Sequence, residues 1–145
     1  RITAEKDNPQ LTKRLFDGKN VIRLIIDKNL SIEKTFNVFN NDSKTIIFNN
    51  IIDNLEGSNH FIKINFDNML NEILAVLYYK NIQSIIVEGG TKTLQSFIKN
   101  NLWDEARIFK TKNNINEGVI SPSINGKIIS TSFINNDTLN ILVNE

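Results

Sequence analysis

Residues 85–98 read IIVEGGTKTLQSFI, and this stretch decides the fold. A β-branched run leads to Glu88 and two glycines, and the chain then passes directly into the pattern of an amphipathic helix. Nucleotide-binding α/β proteins present the start of a helix to a phosphate in this way, because glycines allow close backbone approach and the helix start has free N–H groups. Glycines that serve turn geometry alone fit the same letters, so this stretch by itself leaves both interpretations open.

A second informative block, Thr3–Arg14, lies at the start of the chain. Pro9 fixes its own φ and pushes Asn8 out of the helical region, so Asp7-Asn8-Pro9 predicts a turn. Leu11 then anchors the segment, while Thr3, Asp7 and Arg14 point polar groups outward. Taken alone, the block favours an ordinary capped loop over a site.

Together the two blocks resemble the reductase domain of the bifunctional riboflavin-biosynthesis deaminase–reductase. The order is that of the family: Thr-x3-Asp-Asn-Pro-x-Leu-Thr-x-Arg, the strand Ile22–Asp27, and then Val-Glu-Gly-Gly-x2-Thr-Leu-x2-Phe-Ile-x3-Leu-Trp-Asp-Glu. The resemblance covers most of the chain and weakens after about Phe109. It implies a dihydrofolate-reductase-like α/β fold and an NADPH-dependent reduction of the ribosyl group of 5-amino-6-(5-phosphoribosylamino)uracil to a ribityl group.

The resemblance also implies the site residues. Positions that match the family's cofactor contacts are Thr3, Asp7, Lys28, Gly90, Thr91, Lys92, Thr93, Leu94, Gln95 and Ser96. Positions that match its substrate contacts are Leu11, Arg14 and Glu88.

For some of these residues the side-chain chemistry suggests a specific role, and for some of them a purely structural interpretation is also open. Arg14 is suited to the substrate phosphate. Lys28 is suited to the 2′-phosphate of NADPH, although a solvated loop lysine fits equally well. Glu88 is the candidate catalytic residue, which would bind ribose hydroxyls or assist opening of the sugar ring, and its alternative is a capping carboxylate. We interpret Trp103 as structural and His60 as an exposed residue at a strand start.

Hydrophobic periodicity predicts alternating strands and helices that form a mixed, mostly parallel sheet flanked by helices, with antiparallel strands at the C-terminus. The strand Val21–Asp27 is nearly all apolar, which is typical of a central strand buried on both faces. Asp67 is suited to cap the first helix, over Asn68–Lys80, and both motif blocks are expected beyond the carboxyl ends of parallel strands. The other predicted elements are strands Thr45–Asn49, Phe61–Phe66 and Ser84–Val87, a helix through Leu94–Leu102, strands Ala106–Lys110, Lys127–Ser132 and Thr138–Val143, and a hairpin turn at Asn135-Asn136-Asp137.

Composition limits the remaining classes. The 145 residues, with 40% hydrophobic and 23% charged residues, predict one domain spanning 1–145. A net charge of +1 from scattered charges argues against a nucleic-acid partner, and no apolar run approaches the ~20 residues of a membrane span. The 0 cysteines suit a reducing, cytoplasmic compartment, and with His60 as the one histidine we expect no metal site.

The family pattern has further segments before this point, and the chain starts at Arg1. We therefore expect an N-terminally truncated reductase domain that lacks a strand, a helix and a second strand, is weak or inactive as it stands, and has a zinc deaminase domain upstream in the full-length protein. A missing strand would leave a sheet edge open, so we expect a homo-oligomer. Two other hypotheses stay open: another dihydrofolate-reductase-like NADPH reductase with a pterin or pyrimidine substrate, and a non-catalytic fragment that binds a nucleotide or a partner subunit.

Overall fold

The computed structural model describes residues 6–13, 18, 20–112 and 118–145. They divide into two compact units, residues 1–85 and 86–145. The first unit contains β1 (Arg23–Ile26), β2 (Thr45–Asn49), β3 (Asn54–Glu56), β4 (Asn59–Lys63), α1 (Met69–Tyr79) and the short 3₁₀-helices Asn37–Phe39 and Phe66–Asn68. The second unit contains α2 (Thr91–Lys99), β5 (Glu105–Lys110), β6 (Lys127–Ile134) and β7 (Asp137–Val143). That the chain forms one domain stays a prediction.

The first unit is a four-stranded sheet in the order β1-β2-β4-β3. β1, β2 and β4 are parallel, and β3 returns antiparallel to β4. All five residues of β2 are buried, because alternate side chains enter two apolar clusters. Ile47 belongs to the first cluster, with Ile25, Ile32, Val38 and Phe61. The second cluster contains Ile46, Phe48, Ile64 and the buried face of α1, Ile73 and Leu77.

Three sequence predictions about this unit were wrong in detail. β1 lies at the edge of the described sheet, and the strand buried on both faces is β2. β4 begins at Asn59 rather than Phe61, because it pairs with β3 through the turn at Gly57, where φ is +57°. Asp67 does not cap α1, since it lies inside the preceding 3₁₀-helix and donates its amide to the Asn65 side chain at 2.9 Å.

The second unit places α2 before an antiparallel sheet in the order β5-β7-β6. The predicted hairpin is confirmed: Ile134 pairs with Asp137, and Asn135 takes the positive φ of +54° that this turn requires. The predicted strand Ser84–Val87 is wrong, because this segment forms no ladder with any described strand and the Ile86 side chain is 87% exposed.

The mostly parallel mixed sheet and the antiparallel C-terminal strands confirm the predicted α/β fold class. Within the described ranges, neither helix is long and apolar enough to cross a membrane.

Candidate functional site

The start of α2 offers hydrogen-bond donors that the described part of the chain does not use. Gly90 is the N-cap, with φ −53° and ψ 166°, and no side chain caps the helix. The Gly90 carbonyl accepts the amides of Thr93 at 2.9 Å and Leu94 at 3.2 Å. The amides of Thr91 and Lys92 meet no acceptor among the described residues, and these free N–H groups at the positive end of a helix suit an anion.

The two glycines before α2 are not required by backbone conformation. Neither Gly89 nor Gly90 has a positive φ. A Cβ built on Gly89 would meet Thr93 Cβ at 3.5 Å, an ordinary van der Waals contact. Turn geometry alone therefore leaves Gly89 unexplained, whereas close approach of a ligand to the backbone explains it.

Several polar side chains of α2 are engaged within the second unit. Thr91 Oγ1 donates to the carbonyl of Ile120 at 3.0 Å, and Ser96 Oγ donates to the carbonyl of Lys92 at 2.8 Å. Gln95 makes two hydrogen bonds with the backbone of Ser123. Among the described residues, the amides of Thr91 and Lys92 and the exposed Lys92 side chain remain without a hydrogen-bond partner.

Glu88 is exposed and lies in a segment without regular secondary structure. It does not follow a buried strand, because the predicted strand before it is not formed. Its catalytic role stays a prediction.

The described part of the first motif block lies in the first unit. Asp7 is exposed, while Leu11 is half-buried and packs against the first apolar cluster. The carbonyl of Gln10 accepts a hydrogen bond from Arg23 Nη1 at 3.4 Å, so this segment contacts the residue that begins β1. The expectation that it lies beyond the carboxyl end of a strand was therefore wrong. Thr3 and Arg14 lie outside the described residues.

Lys28 lies where the sequence predicts, two residues after β1 at the carboxyl edge of the parallel strands. Its side chain is exposed, with Nζ 5.4 Å from the centroid of the Phe66 ring. Its carbonyl accepts the amide of Asn50 at 3.0 Å. An exposed ammonium over an aromatic face keeps its charge available to a phosphate.

Two buried polar residues at the same edge were not predicted. Asp27 accepts the amide of Ile32 at 2.8 Å, and Asn49 Oδ1 accepts the amides of Ile51 and Ile52, both at 2.8 Å. Each fixes the loop that leaves its strand. The sequence signal is a polar residue that ends an apolar run, which marks a loop anchor as readily as a ligand contact.

His60 and Trp103 have structural surroundings. His60 is half-buried on β4, not exposed as predicted, because its Nδ1 lies 3.2 Å from Lys80 Nζ at the end of α1. Burial lowers the pKa of His60, Lys80 lowers it further, and Asp53 opposes them. Trp103 is half-buried, its carbonyl accepts from Asn144 Nδ2 at 2.8 Å, and its ring fills the space beside Gly126, in agreement with a structural role.

A cavity of about 150 Å³ opens on the first apolar cluster. Lys34 and Glu56, which form an ion pair at 2.6 Å, are part of its lining. None of the predicted site residues that the structure describes lines this cavity.

Comparison with known proteins identifies one family. Residues 1–111 match the family described as the RibD C-terminal domain. The riboflavin biosynthesis protein RibD of Bacillus amyloliquefaciens is 30% identical over 132 residues, which are 84% of this chain and 35% of that protein. A 2,5-diamino-6-ribosylamino-4(3H)-pyrimidinone 5′-phosphate reductase of Archaeoglobus fulgidus is 28% identical, over 74% of this chain and 57% of that protein.

A solved structure has the same fold. The crystal structure of a diaminohydroxyphosphoribosylaminopyrimidine deaminase/5-amino-6-(5-phosphoribosylamino)uracil reductase from Thermotoga maritima superposes with a TM-score of 0.83 at 26% identity, covering 99% of this chain and 43% of that one. This likeness confirms the predicted reductase fold. The chain spans about a third to just over half of the length of the curated relatives it matches.

Proposed function

Because the chain belongs to the RibD C-terminal domain family, we propose that it is the NADPH-dependent reductase of a phosphoribosylaminopyrimidine in riboflavin biosynthesis. The substrate class follows from the names of the relatives, which are reductases of such compounds. The structural observation that carries the proposal is the start of α2, where free amides follow a glycine that backbone conformation does not require, an arrangement that suits a dinucleotide phosphate.

Groups in each unit suit a part of NADPH, and we propose them as its contacts on the resemblance to the family. The amides of Thr91 and Lys92 would hold the diphosphate, with the Lys92 ammonium nearby, and Lys28 would pair with the 2′-phosphate. Hydride transfer is the chemistry that the bound nicotinamide supplies. Thr3 and Asp7 remain proposed cofactor contacts, as do Gly90, Thr93, Leu94, Gln95 and Ser96.

The reduction forms a C1′–H bond on the ribosyl group, while the C1′–O4′ bond breaks and a proton reaches O4′. Two electrons enter the sugar with the hydride, so that the ring opens to a ribityl chain. We assign Glu88 to the ribose hydroxyls, where a carboxylate accepts their hydrogen bonds and orients C1′ for reduction. Arg14 would hold the substrate phosphate, and Leu11 would contact the substrate beside it.

Two pyrimidines are candidate substrates, because the relatives differ. The Thermotoga maritima protein is named for the uracil compound, and the Archaeoglobus fulgidus relative for the 2,5-diamino-pyrimidinone. We propose the uracil compound, on the match to RibD. On the same ground we propose a deaminase domain in the full-length protein and a cytoplasmic location, where NADPH is made available.

The test is NADPH oxidation by the full-length protein, with each pyrimidine in turn. We expect turnover that requires NADPH and prefers the uracil compound. Glu88→Gln should lower kcat about 100-fold, because a sugar that is no longer held by the carboxylate loses its alignment for reduction. Arg14→Ala should raise the KM for the substrate, and Glu33→Gln, which removes another exposed carboxylate, should change neither.

Other outcomes assign the protein elsewhere. Preference for the diamino compound would make it a reductase that acts before deamination. Tight NADPH binding without turnover of either pyrimidine would favour another dihydrofolate-reductase-like enzyme. Absence of any dinucleotide binding would overturn the proposal and favour a non-catalytic fragment.

A further inference from the structure

Three buried polar side chains form a row across the amino ends of the parallel strands in the first unit. Arg23, Thr45 and Asn59 are the first residues of β1, β2 and β4, and they stand opposite one another in the sheet register. Their exposed fractions are 1%, 0% and 9%. Burying polar side chains costs free energy unless they are hydrogen-bonded, whereas apolar side chains could fill the same space without that cost. The presence of this row therefore needs an explanation.

The row holds the 3₁₀-helix Asn37–Phe39 by three successive carbonyls. Arg23 Nη1 donates to the carbonyl of Asn37 at 2.8 Å, Thr45 Oγ1 to that of Val38 at 2.9 Å, and Asn59 Nδ2 to that of Phe39 at 3.0 Å. Arg23 Nη2 also donates to the carbonyls of Asn40 at 2.6 Å and Ser43 at 2.7 Å. These hydrogen bonds therefore fix the backbone of the 3₁₀-helix and the residues after it to the amino ends of the parallel strands.

Asn37 connects this fixed segment to the first motif block. Its backbone amide donates to Asn8 Oδ1 at 2.8 Å, and its side-chain Nδ2 donates to the Asn8 carbonyl at 2.9 Å. The Arg23 guanidinium reaches the same block at the carbonyl of Gln10.

The backbone of that block needs such support. Asn8 has φ +40° and Leu11 has φ +50°. Asparagine tolerates the left-handed region, but leucine rarely adopts it, so surrounding contacts must hold Leu11 there. Asn8 lies between Asp7 and Leu11, which are the described residues of this block that are proposed to contact the cofactor and the substrate.

We propose that Asn37, fixed by the Arg23 row, is a positioning residue that sets the geometry of Asp7 and Leu11 for binding; this inference rests on the proposed function. It acts through Asn8 and touches neither ligand. Loss of the Asn37 side chain removes one of its two bonds to Asn8, while the buried row and the core stay intact.

The test compares Asn37→Ala with Asn71→Ala in the full-length protein. Asn71 is the matched control, because it is an exposed asparagine on α1 whose side chain makes one hydrogen bond, to Asn68 at 2.7 Å. We expect Asn37→Ala to raise the KM for NADPH or substrate about tenfold, with kcat within about twofold of wild type, since a displaced binding group loses alignment. Asn8→Asp keeps the acceptor for the Asn37 amide, so its KM should stay near that of wild type.

A second readout does not depend on activity. Hydrogen exchange at the amides of residues 8, 10 and 11 should become about tenfold faster in Asn37→Ala, with the α1 amides unchanged. Unchanged exchange in this segment, or faster exchange with unchanged KM values, would overturn the proposal. An inactive wild-type protein would instead overturn the proposed function, which separates the two failures.

Discussion

The side chain of Gln95 is bound by the backbone of Ser123 at both of its polar atoms. Nε2 donates to the Ser123 carbonyl at 3.3 Å, and Oε1 accepts the Ser123 amide at 3.2 Å. One turn earlier on α2, Thr91 donates to the carbonyl of Ile120. The half-buried side chains of Thr91 and Gln95 therefore hold the segment that leads into β6, next to the helix start proposed to bind phosphate.

The first prediction concerns Gln95. Gln95→Ala should lower the free energy of unfolding by about 1 kcal/mol, because it removes two partly exposed hydrogen bonds. Because Gln95 is also a proposed cofactor contact, the KM for NADPH should rise about tenfold. Denaturant unfolding and steady-state kinetics measure both quantities, with the exposed Gln83→Ala as the control. Lower stability with an unchanged KM would show instead that the Gln95 side chain serves only to hold the segment at Ser123.

The second prediction concerns the packing of Trp103. A Cβ at Gly126 would lie 2.7 Å from Trp103 Cη2 and 2.7 Å from the carbonyl oxygen of Val143. Gly126→Ala must therefore displace an indole or a strand, and it should lower the free energy of unfolding by about 1–3 kcal/mol. Thermal unfolding measures this effect. An unchanged melting temperature would mean that the ring is not held in this position.

A strand that is buried on both faces can be predicted from its local sequence, because nearly all of its residues are apolar. The run at β2 is apolar at nearly every position, because both of its faces meet a cluster, and its bounds were predicted correctly. β3 has no such signal: Asn54-Leu55-Glu56 is short and mostly polar, and it becomes a strand only by pairing with β4. The segment 84–87 shows the reverse, since a strand-like run without a ladder partner does not form a strand.

The candidate site likewise has one part that a local sequence pattern predicts and one part that depends on contacts between distant segments. The free amides at the start of α2 follow from a local pattern of glycines before an amphipathic helix, so residues 88–96 could be proposed from the sequence. The contact between Asn37 and Asn8 joins residues 29 positions apart, and each is one asparagine among many in this chain. No periodicity or spacing marks such a pair, because it exists only after β1 and β2 have brought the two segments together.

The third prediction concerns pH and His60. Because burial and Lys80 lower the pKa of His60 from its ordinary value of 6.5, the folded protein favours the neutral imidazole. The unfolded chain then binds a proton near pH 6.5 and the folded chain binds it only at lower pH, so the free energy of unfolding should fall as the pH drops below 6.5.

His60→Gln should remove this component. Its free energy of unfolding, measured in denaturant from about pH 7 to about pH 5.5, should depend less on pH than that of wild type. Equal pH dependence in the two proteins would mean that His60 has the same pKa in the folded and unfolded states.

The fourth prediction separates the two explanations of the glycines before α2. Gly89→Ala introduces a methyl group that meets only an ordinary contact at Thr93, so the melting temperature should stay close to that of wild type. The same methyl group would stand where a phosphate approaches the backbone, so the KM for NADPH should rise about tenfold or more. Gly126→Ala is the matched control, because the same substitution there should lower stability and leave cofactor affinity unchanged. A lower melting temperature of Gly89→Ala with an unchanged KM for NADPH would contradict this prediction. It would mean that Gly89 is required by the turn and that the phosphate binds elsewhere.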